Sequence, residues 1–392
     1  MPSRTTRSLP LRLALVCLVA WCGAAAVHAQ QPAVEVLARD LREQVVRIPV
    51  TVQDMYGREE TRQLPITIFR PPGEGRHPLL VFNHGRSASK RAEQDRYRPE
   101  HAARYFVAKG FVVMAPTRIG YWETYGDFDP EHSGSCGSPR PQPMARAASE
   151  QVIATALYAG TLPYVDGSRW LVAGTSVGGV TSIATVGRSP AGLLGGINFS
   201  GGAGGDPETR PGRPCAPEVW SRYWAGLAKT ASAPMLWLYW KNDKYWGAEH
   251  PKAWHQAWTS GGGRAEFSQL DAIGEDGHSG LSIDMQNWLP QVDRFLASLG
   301  FTQDAVVAKP AVSGFAELAD AEKVPVNAAT RAGAYLRFLE ARSPRAFAVG
   351  ERGAWGWATG DYAHGRALGN CQRGGQNCKL YAVDDAVVWR SN

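Results

Sequence analysis

Eight short apolar runs set the tightest limit on what this chain can fold into. They are Val46–Val52, Leu64–Phe69, Leu79–Asn83, Val112–Ala115, Trp170–Ala173, Leu194–Phe199, Met235–Tyr239 and Glu266–Leu270. Most are continuously apolar rather than alternating, the pattern of strands buried on both faces. Helical patterning fills the intervals, at Glu93–Lys109, Met144–Ala159, Val177–Val186, Pro251–Trp258 and Asp284–Leu299. Strands that alternate with helices predict an α/β fold built on a mainly parallel sheet. Hydrophobic residues make up 44 % of the 392, enough for a large core.

The N-terminus follows a different pattern. Arg4, Arg7 and Arg12 precede the apolar run Leu13–Ala20, and small residues then lead to Val27-His28-Ala29. A positive start, an apolar middle and a small-residue cleavage site describe a signal peptide, residues 1–29. The expected location of the mature chain is therefore the periplasm or beyond the cell. Removing this segment takes away three arginines and lowers the formal charge from +6 to +3. No Lys/Arg cluster with interleaved aromatics is present, so nucleic acid is not an expected partner. No later stretch reaches the roughly 20 apolar residues of a membrane-spanning helix. Oligomeric state is not readable.

Cys17 and Cys22 belong to the signal segment, which leaves Cys136, Cys215, Cys371 and Cys378. An even number of cysteines in an oxidising compartment predicts disulfides, with three pairings open. Cys371 with Cys378 is the local choice and leaves Cys136 with Cys215. No cysteine pair has a histidine pair at zinc spacing, so no structural metal is expected. Cys136 and Cys215 lie in two long Gly/Pro-rich loops, Ile119–Pro143 and Gly201–Pro217, each after a predicted strand. In open α/β sheets ligands bind at that edge. A bond between these loops reads equally as a braced site wall or as plain stabilisation of an exported protein.

The chemistry is carried by Gly174-Thr175-Ser176-Val177-Gly178-Gly179, set between the run Trp170–Ala173 and a helical pattern. A serine lifted on a sharp strand-to-helix turn needs glycines two before and two after it, where side chains would collide. The N–H of Val177, at the helix start, then faces a developing oxyanion. A serine hydroxyl also needs a base, and in such sheets the chain order is Ser, acid, His. Asp243, directly after Met235–Tyr239, and His278, after Glu266–Leu270, fill these positions. His250, His255, Asp271 and Asp276 are the rivals; the two histidines lie on a helical pattern and the two acids follow the last strand. For the second oxyanion donor, the loop Asn83-His84-Gly85-Arg86-Ser87 offers the N–H of Arg86, with Ser87 next. His84, at a strand end, reads as a loop-bonding residue rather than a base. Trp237, Trp240, Trp246, Trp254 and Trp258 gather around the acid, as a pocket wall or as core.

These residues resemble the secreted, dienelactone-hydrolase-like branch of the α/β-hydrolase superfamily. The resemblance covers Val46 to Leu299 and rests on Asn83-His84-Gly85, the Ser176 motif, Asn242-Asp243 and Asp276-Gly277-His278. It implies an eight-stranded, mostly parallel sheet flanked by helices, a Ser176–Asp243–His278 triad, and no cofactor. The namesake enzymes carry cysteine where this chain has Ser176, which argues against a lactone substrate but leaves acyl transfer to water intact. Residues 30–301 are thus read as the catalytic domain, 302–325 as a linker and 326–392 as a small α+β C-terminal module. That module looks like a tail found on other exported bacterial proteins. The expected activity is hydrolysis of a small-molecule or polymer carboxylic ester through an acyl-enzyme. A serine peptidase or acyltransferase on the same triad is the near alternative. A non-catalytic cell-wall or polymer binder, using Trp355, Trp357 and Trp389, is the distant one.

Overall fold

Each of the eight apolar runs is a strand. In chain order they are β1 (Gln44–Gln53), β2 (Glu59–Phe69), β3 (His77–Asn83), β4 (Val112–Pro116), β5 (Val165–Thr175), β6 (Leu193–Phe199), β7 (Met235–Trp240) and β8 (Ala265–Leu270). They form one sheet in the order β1-β2-β4-β3-β5-β6-β7-β8. Strand β2 runs antiparallel to both its neighbours, and the remaining pairs are parallel. The computed structural model describes Met1, Ser3, Ala38 and residues 41–302, 310–360 and 363–390. The expected cleavage site at Ala29 lies outside the described residues. The described residues from Ala38 onward form one compact unit.

Alternation within each strand divides the sheet's core into two layers. Leu79 and Val81 face one layer and Leu80 and Phe82 the other, all four completely buried. The first layer is covered by helices α2 (Pro141–Ala159), α3 (Val177–Gly187), α4 (Pro217–Ala228) and α5 (His250–Ser260). The second is covered by α1 (Glu100–Ala108) and α7 (Met285–Ser298), with the short α6 (Gly280–Ile283) before α7. Helices on both faces explain why the strands read as continuous apolar runs. Each fully buried Val, Leu or Phe contributes about 1.5–3 kcal/mol.

Two helical expectations differ from the structure. The pattern at Glu93–Lys109 becomes α1 only from Glu100, because Pro99 cannot continue a preceding helix and stands at the N-cap. Helix α4 was not read at all. It starts at Pro217, the end of a Gly/Pro-rich loop, and buries Trp220 and Trp224 on one face.

The C-terminal module is α+β. Its strands β9 (Arg345–Val349), β10 (Trp355–Thr359), β11 (Lys379–Val383) and β12 (Ala386–Val387) form an antiparallel sheet in the order β10-β9-β11-β12. One face packs on α8 (Ala363–Gln372), the other on a helical segment from Ala328 to Glu340. Part of the segment read as a linker lies on this module: Tyr335 Oη donates to Leu318 O at 2.7 Å, and Val324 is fully buried. Trp355, Trp357 and Trp389 pack against the module's core, with Trp355 stacked 6.1 Å from Phe347. Cys371–Cys378 joins α8 to the segment before β11, and Cys136–Cys215 joins the two long loops of the main domain. Helix α8 in turn rests on α1, α6 and α7.

Candidate active site

The backbone at Ser176 carries the strain that the glycine spacing implied. Its φ is 56° and ψ −124°, a region that side chains avoid. The surrounding chain holds it there through close packing. A Cβ on Gly174 would lie 2.3 Å from the Gly178 carbonyl oxygen, and one on Gly178 would lie 2.2 Å from the Asn83 carbonyl oxygen. Only hydrogen fits at either position. Ser176 is 9 % exposed at the opening of α3, at the carboxyl end of β5.

Asp243 and His278 come together from loops 35 residues apart. His278 Nδ1 lies 3.0 Å from Asp243 Oδ2 and 3.2 Å from Oδ1. The Asp243 carboxylate is buried and also accepts from the N–H groups of Tyr245 (2.8 Å) and Trp246 (3.2 Å). These bonds fix its orientation, so Nδ1 is the protonated ring nitrogen and Nε2 is left free to take a proton. Tyr245 stacks on the imidazole at 4.0 Å and Trp246 meets it edge-on at 5.5 Å. Ser176 and His278 line the same cavity, of about 270 Å³. No hydrogen bond joins Ser176 Oγ to His278 among the described residues; contacts of this kind commonly tighten only in the substrate complex.

The rival residues occupy other places. Asp276 accepts from the N–H groups of His278 (3.0 Å) and Lys244 (2.9 Å), tying the two loops together without touching the imidazole nitrogens. Asp271 is an exposed partner of Lys241. His255 bonds the Ala265 carbonyl at 2.9 Å, and His250 stacks on Trp254. Of the five tryptophans near the acid, Trp237, Trp240, Trp254 and Trp258 are core residues, while Trp246 faces a cavity beside Ser176.

Gly85 passes next to Ser176: a Cβ there would lie 3.2 Å from Ser176 Cβ. Arg86 and Val177 both line the cavity with Ser176, and neither N–H has an acceptor among the described residues. Two donors beside a serine hydroxyl are the arrangement that an oxyanion would need. Ser87 is not among the residues of either cavity.

The loop carrying Arg86 is bolted from behind. His84 is buried; its Nε2 accepts from Arg118 N at 2.9 Å, which leaves Nδ1 to donate to Gly85 O at 2.6 Å. Burial, and next the charge of Arg118, hold its pKa well below the usual histidine range, so it stays neutral. The Arg86 guanidinium binds Asp129 through two nitrogens, at 3.0 and 2.6 Å, and Tyr121 Oη at 3.0 Å. Tyr121 donates to Glu131, which pairs with the fully buried Arg118. This network and Tyr245 escaped the sequence reading. Tyr245 sits two residues past Asp243, a position that could have flagged it. Asp129 and Glu131 sit in a loop with no periodicity to mark them.

No helix among the described residues is long and apolar enough to cross a membrane, and no cluster of three or more His, Cys, Asp or Glu among them could hold a metal ion. The strand order, the single antiparallel β2 and the elbow at Ser176 are those of the α/β-hydrolase fold. No protein-family model matches the chain, and no curated protein does. Among solved structures it is similar to a Klebsiella pneumoniae protein assigned as a dienelactone hydrolase, at 15 % identity over 66 % of this chain and 99 % of that one, TM-score 0.43. An acetyl xylan esterase from Paenibacillus sp. R4 matches at 16 % identity over 66 % and 89 %, TM-score 0.44. Dipeptidyl peptidase 4 of Porphyromonas gingivalis matches at 16 % identity over 64 % of this chain but only 35 % of its own length, TM-score 0.43.

Proposed function

We propose that the chain is an exported serine hydrolase that cleaves carboxylic esters through an acyl-enzyme. The observation that carries this reading is His278, bonded to buried Asp243, sharing one cavity with a serine in strained backbone. Ser176 Oγ attacks the ester carbonyl while its proton passes to His278 Nε2. The N–H groups of Val177 and Arg86 bond the oxyanion. Collapse of the tetrahedral adduct breaks the bond to the alcohol oxygen, which leaves with the proton from His278. Water then repeats the sequence on the acyl-enzyme, releasing the acid and restoring the serine. Asp243 holds the imidazole tautomer and stabilises its charged form. Export is supported by the Arg4/Arg7/Arg12 start with its apolar run and by the two disulfides.

The test is intact mass of the protein from Gln30 onward after treatment with a fluorophosphonate. A single adduct on the unmodified chain is expected, absent from Ser176→Ala and slow to form on His278→Ala. A well-folded protein that takes up no adduct rejects the reading.

A further inference from the structure

Two cavities meet at Ser176, and the chemistry assigns a side to each. His278 must deliver its proton to the departing alcohol, so the leaving group lies in the cavity that His278 lines, with Ser279, Leu281 and Ser282. The second cavity, of about 260 Å³, touches Ser176, Val177 and Arg86 but not His278. It is where the acyl group must go, with its carbonyl oxygen toward the two free N–H groups.

We infer that this second cavity is an acyl pocket for a compact, uncharged aromatic acid; the inference rests on the ester-hydrolase reading above. Size is the first argument. The cavity falls just below the roughly 300–1,000 Å³ of ordinary small-molecule sites. Its walls are also fixed. Trp246 Nε1 donates to Ser200 O at 2.7 Å, and Gly202 and Gly205 press so closely on its ring that a Cβ on either would lie 2.7 Å away. Cys136–Cys215 locks the two loops that form another wall, and Trp220 and Met144 are 1 % exposed on α4 and α2. A close-packed wall of this kind does not open for a long straight chain.

Shape and charge supply the rest. Trp220, Tyr245 and Trp246 line the space together with Ala203, Gly204 and Gly205. Aromatic side chains set beside small residues leave a recess that suits a flat ring. No carboxylate lines the cavity, and its one guanidinium, Arg86, is already neutralised by the two-nitrogen bond to Asp129. The other basic side chain in the lining, His132, is stacked on Tyr56. The lining therefore offers no unpaired guanidinium, ammonium or carboxylate to a charged acid.

p-Nitrophenyl acetate, benzoate and octanoate share one leaving group and separate the acyl requirement. The kcat/KM of each is divided by the rate of that ester in buffer. For the disulfide-intact chain from Gln30 onward, benzoate is expected to exceed octanoate by about tenfold or more and to exceed acetate. Ala203→Leu should fill the recess and lower benzoate about tenfold relative to acetate. Trp220→Ala should raise octanoate relative to benzoate. A chain that labels with fluorophosphonate yet favours octanoate, or hydrolyses benzoate no better than acetate, overturns the aromatic pocket and leaves the serine hydrolase standing. A chain that does not label overturns both.

Discussion

The indole Nε1 of Trp240 donates to the Asp284 carboxylate at 2.7 Å, joining the last residue of β7 to the residue that follows α6. The Trp240 ring also lies directly beneath Gly280, whose Cβ would sit 2.2 Å from it. The segment carrying His278 is thus seated on the strand that leads to Asp243. Trp240→Phe removes the donor and leaves a buried carboxylate short of one partner. It should lower stability by about 1–3 kcal/mol in urea unfolding and slow fluorophosphonate labelling of Ser176 while Asp243 and His278 remain in place.

Gly178→Ala should be poorly tolerated. The backbone carbonyl of Asn83 occupies the site of the new methyl group, so relief requires movement of β3 against α3. A loss at or above the top of the about 1–3 kcal/mol range for overpacking is expected. Thermal unfolding of this variant beside Ser176→Ala, which adds no volume, is the measurement.

His84 should stay neutral throughout the working pH range. Because burial, and then the Arg118 charge, keep His84 neutral, it titrates below the range in which a histidine base works. His84→Gln should slow ester hydrolysis by loosening the Gly85–Arg86 loop, by less than the roughly 10²–10³ that follows outright loss of an oxyanion donor. The acid limb of the pH–rate profile should keep its midpoint. His278→Ala should remove nearly all activity.

Glu43, its side chain fully buried, receives Arg96 at 2.7 Å and Arg98 at 2.6 Å. Burial is the largest single influence and pushes its pKa up, but the bonds from Arg98, the Ala38 N–H and Arg96 together hold it below the usual carboxylate value. A depressed carboxylate contributes stability that is present above its unfolded pKa and lost as pH falls through its folded one. Glu43→Gln should therefore cost about 1–3 kcal/mol at neutral pH, since it removes the buried charge that Arg96 and Arg98 bond. It should also flatten the fall in stability below the ordinary carboxylate range. Urea midpoints measured from neutral to acidic pH check both parts.

Cys136→Ser with Cys215→Ser should cost about 2–5 kcal/mol, the usual effect of losing a native disulfide. Because Cys136 and Cys215 both line the cavity beside Ser176, the paired variant should also broaden acyl-chain tolerance. Chemical denaturation and the p-nitrophenyl series report the two effects separately.

Much of this was legible from residue order. Strands buried on both faces must be continuously apolar, so all eight strands of the main sheet showed as runs such as Leu79–Asn83 and Met235–Tyr239. The elbow showed because its backbone admits only glycine at 174 and 178. Asp243 and His278 showed because each follows a strand that ends at one sheet edge. Helix α4 did not show, since Pro217 opens it from a loop whose glycines and prolines read as irregular chain.

What the sequence by itself determined is therefore local: the alternation of strand and helix, the glycine-framed serine, and the placing of Asp243 and His278 after successive strands. These follow from covalent geometry and short-range sterics, which neighbouring residues carry. Tertiary structure alone decided which groups meet. It made Trp246 a pocket wall and Trp240 a core post. It gave Asp276 to the backbone and Asp243 to the imidazole. It also placed Arg86, Asp129, Tyr121, Glu131 and Arg118 in one network behind the Gly85–Arg86 loop. Contacts of that kind join residues tens of positions apart, and no periodicity along the chain encodes them.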